Sequence, residues 1–329
     1  MSLASIIITT HNRPHLLGRA VESAHRAGKD VEVIVVDDAS TDETALVCRA
    51  LSGIKYQRTE HNLGVAGARN VGLLVSSGSY VTFLDDDDVR LPNSLDAQVK
   101  LLEADEKAGL IYGQAIYGDQ SGKPSNDLYP QVCPEGDVFW QLLAQNFIPC
   151  GSAVFRRSCL NAVGLLDDGL PGFDDWDLWL RIAELFPVIA IEQPVMIWRR
   201  STPVSGQGSS DATALATRCV RQFRQWLKLP RAASGTSQMR HIAWQAFSAN
   251  MAEHLIWNAM RSLEHAKIAQ AIRSVLAAVS LCPLATAQLA SRRNFLRVVR
   301  TIDRKAEIGN SADRQSLHKD RTGAEKACG

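Results

Sequence analysis

Four short apolar runs alternate with helix-like stretches over the first 90 residues, and this alternation restricts the fold more than any other feature. The runs are "SIIIT", "VEVIVV", "GIKYQR" and "YVTFL". Between the first two, "RPHLLGRAVESAHRAG" places Pro14 near a first turn and Leu17, Ala20, Val21 and Ala24 at helical spacing, with Gly28 as the stop. Ser40 followed by Glu43 has the spacing of a capping box and predicts a helix through Val47 and Leu51. "GVAGARNVGLLVS" predicts a third, glycine-punctuated helix. Strands alternating with helices of this length imply βαβ units and a mostly parallel sheet flanked by helices. In open sheets of this class, ligands bind beyond the carboxyl ends of the strands. Three polar clusters fall there: Thr9 with Thr10, Asp37 with Asp38, and Asp85 through Asp88.

Downstream, a helix is expected through Leu95, Val99 and Leu102, then a strand or hairpin at "LIYGQAIYGD" and a mobile loop over 118–137. "FWQLLAQN" reads as a helix, "GSAVFRR" as a strand, and "GFDDWDLWLRIAELF" as a loop feeding an amphipathic helix. From about residue 206, Ala, Leu, Arg and Gln dominate and helical periodicity persists to about residue 300. The expected organisation is therefore an α/β domain over 1–205, a C-terminal helical extension over 206–305 and a disordered tail over 306–329.

Charge and cysteine usage exclude several classes. The 36 Lys and Arg nearly balance the 35 Asp and Glu, so a formal charge of +1 selects no nucleic acid partner. The seven cysteines are scattered without a CxxC pair, which points away from structural zinc or a disulfide framework. No basic stretch followed by a cleavable apolar segment opens the chain. The most apolar window, 275–290, is interrupted by Pro283 and Gln288 and is short for a membrane span. A cytoplasmic protein is expected.

The acidic run admits two chemistries. Asp85 and Asp87 leave the same face of an extended segment, where two carboxylates suit a hard divalent cation and phosphate oxygens. The alternative is an acidic turn in which Asp86 or Asp88 caps the next helix. Asp37 can order its turn, while an ionised Asp38 can accept a ring N–H or a ribose hydroxyl; a plain turn at "DDAS" is the competing view. Arg69 reads either as a ligand contact or as an ion-pair partner of these acids. Neither GxGxxG after the first strand nor GxxxxGK[ST] occurs, so no dinucleotide fingerprint or P-loop is present.

"SIIITTHNRP", "VIVVDDASTDET", "HNLGVAGARNVGL", "YVTFLDDDD" and "GFDDWDLWLRI" occur in the order and spacing of family 2 glycosyltransferases of the GT-A fold, a resemblance that covers residues 4 to about 205. It implies an inverting enzyme using a nucleotide-activated sugar, UDP first among the nucleotides. By that likeness Thr9, Asp38 and Arg69 surround the base and ribose, and Asp85 and Asp86 lie near the ribose and diphosphate. Asp87 is then the main ligand of Mn²⁺ or Mg²⁺, with Asp85 beside it. The last segment resembles the family's acidic motif, which makes Asp175 the base that takes the acceptor hydroxyl's proton, with Asp174 and Asp177 orienting it or capping the helix. A helix start that simply attracts aspartates is the plain alternative. Trp176 and Trp179 are candidates for stacking on a sugar face or for the core.

One departure stands out. Relatives commonly place a histidine where Ser201 follows "WRR", so Arg199, Arg200 or Ser205 would have to serve the phosphates here. The family module does not account for the helical extension. Its "SRRNFLRVVRTIDRK" is strongly basic, with Leu296, Val299 and Ile302 about one helical face apart, and suits either a solvated or subunit-packed face or peripheral contact with an inner membrane carrying a lipid-linked acceptor. The expected partners are a nucleotide sugar and a glycan or lipid-linked acceptor, with homo-oligomerisation left open. A metal-dependent nucleotidyltransferase and a non-catalytic sugar-binding relative are the competing functional classes.

Overall fold

The computed structural model describes residues 4–119, 121–199, 211–264 and 266–291. Among them, nine strands form one sheet. The four runs read from sequence are β1 (Ala4–Thr10), β2 (Val31–Asp37), β3 (Ile54–Arg58) and β4 (Tyr80–Asp85). They lie side by side in the order β3-β2-β1-β4, all parallel, joined by α1 (Pro14–Arg26), α2 (Thr44–Ala50) and α3 (Gly64–Val75). Beyond β4 the sheet becomes mixed. β8 (Val154–Arg156) runs antiparallel to β4 and to β6 (Leu110–Gly118), while β9 (Val188–Arg199) runs parallel to β6 and antiparallel to the two-residue β5 (Val89–Arg90). The α/β class holds, with the parallel portion confined to the amino-terminal half.

Burial on both faces explains the unbroken apolar runs. Ile6, Ile8, Val33 and Val35 pack with Leu17 and Val21 of α1 and with Leu95, Val99 and Leu102 of α4 (Ser94–Ala104). Ile7 turns to the other face, where α3 lies so close that a Cβ on Gly72 would collide with its side chain. α5 (Phe139–Ala144), α6 (Leu160–Val163) and α7 (Asp174–Leu185) follow. Trp179 of α7 is fully buried and packs on Phe83 and Phe155, with ring centroids 6.3 and 5.7 Å away.

Several sequence expectations need correction. The 118–137 region contains β7 (Pro124–Tyr129), an edge strand on β6 that the run "GDQSGKPSND" hides because its first four residues are exposed, a proline followed by three polar side chains. Tyr129 supplies its anchor by packing on Tyr117 and Trp198. The Ser40–Glu43 capping box does not form. Ser40 Oγ instead accepts the Asn12 N–H at 2.9 Å, and Asp42 receives the Thr44 N–H at 2.9 Å. Neither Asp86 nor Asp88 caps a helix, since α4 begins at Ser94 and both carboxylates are engaged elsewhere. Trp176 is 5 % exposed and donates to the Leu142 carbonyl at 2.6 Å, so both tryptophans belong to the core.

The chain divides into two compact units. One holds residues 1–210 with 218–243. In it, Trp226 of α8 (Ala212–Trp226) meets Trp176 at 4.9 Å between centroids and donates to Asp177 at 2.7 Å, so this stretch of the helical region is packed on the start of α7. α9 (Pro230–Ser234) follows, and Arg231 reaches Asp137 at 2.5 Å. The other unit holds 211–217 and 244–329. Its core is Ala212, Ala216, Ala252, Leu255, Ile256, Met260 and Ala278, drawn from α8, α10 (Ser237–Glu264) and α11 (Ile268–Leu281). α12 (Pro283–Ser291) ends the described chain. Arg200, Ser201, Ser205 and the basic stretch from Arg292 onward lie outside the described residues.

Candidate active site

The parallel register brings three strand ends level: Thr10 pairs with Asp37, and Thr9 with Asp85. The chain leaves β1 and β2 through left-handed residues, Asn12 at φ 54° and Ala39 at φ 55°. Non-glycine residues in that conformation are strained and need surrounding structure to hold them. Asp37 does part of this work. It is fully buried and accepts from the Ser40 N–H at 2.8 Å and the Tyr56 hydroxyl at 3.0 Å. Asp38 differs: its Oδ1 accepts from Thr59 at 3.0 Å and from the Leu63 N–H at 2.8 Å, and among the described residues no donor meets Oδ2.

The four aspartates after β4 separate into distinct environments. Asp85, Asp87 and Asp88 each offer an oxygen within 4.8 Å of the others, a spacing a single hard cation could span. Asp86 faces inward, receiving the Thr10 hydroxyl at 2.7 Å and Arg13 at 3.0 Å, and burial pushes its carboxyl up to about 6 against those two partners. Burial, reinforced by Asp85 and Asp87, holds the Asp88 carboxyl well above the usual carboxylate range. Asp88 also accepts the Arg199 N–H at 2.8 Å, which fixes β9 against the acidic turn. Asp87 Oδ2 meets Arg199 at 3.0 Å and Arg13 at 3.6 Å. Two guanidiniums thus stand beside the carboxylate best placed for a cation.

The second acidic group arrives with α7. Asp174 and Asp175 sit in its first turn, where the helix dipole favours negative charge. Arg69 joins the two groups: its guanidinium is 2.8 Å from Asp85 and 2.8 Å from Asp174. Arg69 is 4 % exposed and therefore supports the site from within, with one face over Phe83. Asp174 is 2 % exposed and committed to that ion pair. Asp175 is only partly buried and accepts the Trp176 N–H at 2.6 Å. Burial, with the Asp174 charge beside it, pushes the Asp175 carboxyl up to about 7. A carboxylate titrating near neutral pH is suited to taking a proton.

Sequence reasoning named Asp85, Asp87, Asp174, Asp175, Arg69 and Arg199, and the structure brings these onto one edge of the sheet. It gave no role to Arg13 and treated Asp88 only as a possible cap. The available signal for Arg13 was its place in "HNRP", one residue before Pro14 fixes the start of α1 and directly after the strained exit from β1.

Comparison with known proteins bears on this arrangement. The family model described as glycosyl transferase family 2 matches residues 5–164. WfaP of Escherichia coli, described as a UDP-Glc:alpha-D-GlcNAc-diphosphoundecaprenol beta-1,3-glucosyltransferase, is 34% identical over 187 residues, covering 55% of this chain and 70% of that protein. An uncharacterised glycosyltransferase of Rickettsia conorii is 32% identical over 216 residues, covering 63% of this chain and 35% of its own length. The chain spans about a third of the length of that protein and of two relatives from the same genus. Among solved structures, S. aureus TarS in complex with UDP-GlcNAc aligns with a TM-score of 0.59 at 14% identity, over 93% of this chain and 92% of that one. The mannosyltransferase PcManGT from Pyrobaculum calidifontis, in complex with GDP-Man and Mn2+, aligns with a TM-score of 0.52 at 19% identity, over 85% and 86%. The fold is GT-A, with a curled mixed sheet and a helical C-terminal region.

Proposed function

The chain belongs to glycosyl transferase family 2, and from that premise we propose that it transfers a sugar with inversion from a nucleoside-diphosphate donor, UDP first, to a hydroxyl of a glycan or lipid-linked acceptor in cell-surface polysaccharide synthesis. The observation that carries this reading is the Arg69 bridge. It ties an acidic group suited to a metal diphosphate to a helix start bearing a carboxylate raised to about 7. UDP is favoured because WfaP is a UDP-glucose-dependent transferase and TarS binds UDP-GlcNAc; GDP is the alternative, bound as GDP-Man by PcManGT. The lipid-linked acceptor rests on the description of WfaP.

Each residue then has a role with a physical reason. Asp38, with one oxygen unclaimed among the described residues, accepts from the base or ribose, and Thr9 lies on the neighbouring strand end. Asp85, Asp87 and Asp88 supply oxygen donors of the kind Mn²⁺ and Mg²⁺ prefer. A bound cation would offset the diphosphate charge and make it a better leaving group. Arg13 and Arg199, now beside Asp87, are placed to turn their charge toward the diphosphate when a cation takes that carboxylate. Asp86 acts indirectly, holding Arg13. Asp175 accepts the acceptor hydroxyl's proton as the oxygen attacks the anomeric carbon from the face opposite the diphosphate. Asp174 positions it by anchoring Arg69.

Calorimetric titration of UDP and GDP, with Mn²⁺ and with EDTA, tests the donor side. One nucleotide should bind only with the metal, and Asp87→Asn should weaken that binding by about tenfold or more, the loss expected for one strong charged contact. Equal affinity in EDTA would remove the metal from the reading and leave Arg13, Arg69 and Arg199 to carry the charge.

A further inference from the structure

α11 is built inside out. Its buried positions carry the small residues Ala271, Ser274 and Ala278. Its outward positions carry Ile268, Ile272, Leu276 and Val279, which are 62%, 54%, 61% and 44% exposed. Spaced by four, four and three, these side chains form one stripe along the helix. Surface helices of soluble proteins show the opposite pattern, and isolated exposed aliphatics would not line up this way. Leu284, just past the Cys282–Pro283 break on α12, is likewise exposed, to 79%.

The charge around this stripe points to what covers it. Lys267 and Arg273 are exposed at its flank, and no acid lies between Lys267 and Ser291. From 267 to 305 the sequence holds eight Lys or Arg and a single acid, Asp303, although the whole chain carries only +1. The remainder is therefore net negative; Lys267 and Arg273 are the cations of this stretch on the described helix, and the other six, from Arg292 on, lie outside the described residues. A second copy of the chain docking stripe to stripe would oppose like charges. An anionic lipid surface satisfies both features, taking the aliphatic side chains below the headgroups and the cations among them. No described helix is long and apolar enough to cross a membrane, so the contact would lie in the interfacial plane.

We propose that the outward face of α11 is a docking surface for anionic lipid headgroups, with Ile268, Ile272, Leu276 and Val279 entering the interface and Lys267 and Arg273 at its charged border. This holds or fails independently of the transferase reading. The test is flotation of the 329-residue chain with phosphatidylcholine vesicles, with and without phosphatidylglycerol. The chain should float only with the anionic vesicles, less at high salt, and Ile272→Asp with Leu276→Asp should lower binding by about tenfold or more. The milder Ile272→Ser with Leu276→Ser should reduce it in the same direction, and unchanged circular dichroism melting would show that both variants fold. Absence of binding by the parent chain would overturn the proposal. So would full binding by folded aspartate variants that is lost only on charge reversal of Arg292 and Arg293, which would assign the contact to the basic stretch alone. A parent dimer made monomeric by the same aspartates, without vesicle binding, would assign the stripe to a second copy.

Discussion

Asp174 and Asp175 are adjacent in sequence and alike in chemistry, yet their surroundings divide the work between them. Asp174 closes a buried ion pair with Arg69, so Asp174→Ala leaves a guanidinium in the interior with Asp85 as its remaining partner. Breaking buried pairs costs about 3–5 kcal/mol, and the lower end is expected here because Asp85 remains. Chemical denaturation should register that loss. Asp175→Asn keeps size and some hydrogen bonding and removes a carboxylate that is costly to ionise in the folded state, so at neutral pH stability should hold or rise and nucleotide affinity should change little, while turnover falls on the order of 10²–10⁴. The pH dependence follows from the raised carboxyl. A base must be ionised, so the parent rate should rise with pH up to about 7 and level off above it. Stability runs the other way: folded Asp175 keeps its proton to about 7, while the unfolded chain releases it near ~3.9. The native state therefore binds more protons across that window, and its contribution to stability falls as pH rises through it. A melting temperature lowered by Asp175→Asn with activity intact would reverse the two assignments.

At the level of elements, the strands and helices that position the site were legible because each follows a simple periodicity. β1, β2 and β4 are buried on both faces and read as unbroken apolar runs, and α1 announces itself through Pro14 and its stripe of Leu17, Ala20, Val21 and Ala24. What stayed hidden was held by long-range contacts. β7 is polar and exposed, and exists because β6 offers an edge and Tyr129 finds Tyr117 and Trp198. The Arg69 bridge joins residues 105 positions apart, which no local pattern encodes. α3 offers a direct test of how elements fix the site. It carries both Arg69 and Gly72, and Gly72 lets it approach Ile7 of β1. Gly72→Ala would force that helix outward, costing about 1–3 kcal/mol by overpacking despite the better helix propensity of alanine. A thermal melt in which the variant equals or exceeds the parent would show that α3 has slack and that Arg69 is not held so closely.

For the molecule as a whole, the acidic residues do opposite things depending on which partners the fold gives them. Asp37 and Asp86 hold loops and Asp174 holds Arg69, while Asp85, Asp87 and Asp88 cluster at the strand end and Asp175 stands at the start of α7, the four carboxylates we propose for donor and acceptor. The Asp-rich turns alone suggested ligand sites, but only the sheet register decided which carboxylates face inward. We propose that this edge activates a nucleotide sugar and that Asp175 delivers the nucleophile to it. Donor hydrolysis tests this without a known acceptor, because water can stand in for the hydroxyl. The measurement is nucleoside-diphosphate release from a panel of UDP- and GDP-sugars with Mn²⁺, with the anomer of the freed sugar read by NMR before it mutarotates. One donor should be consumed with inversion, and Asp175→Asn should abolish the release while still binding the nucleotide. Release of the retained anomer, or undiminished hydrolysis by a folded Asp175→Asn variant, would contradict it.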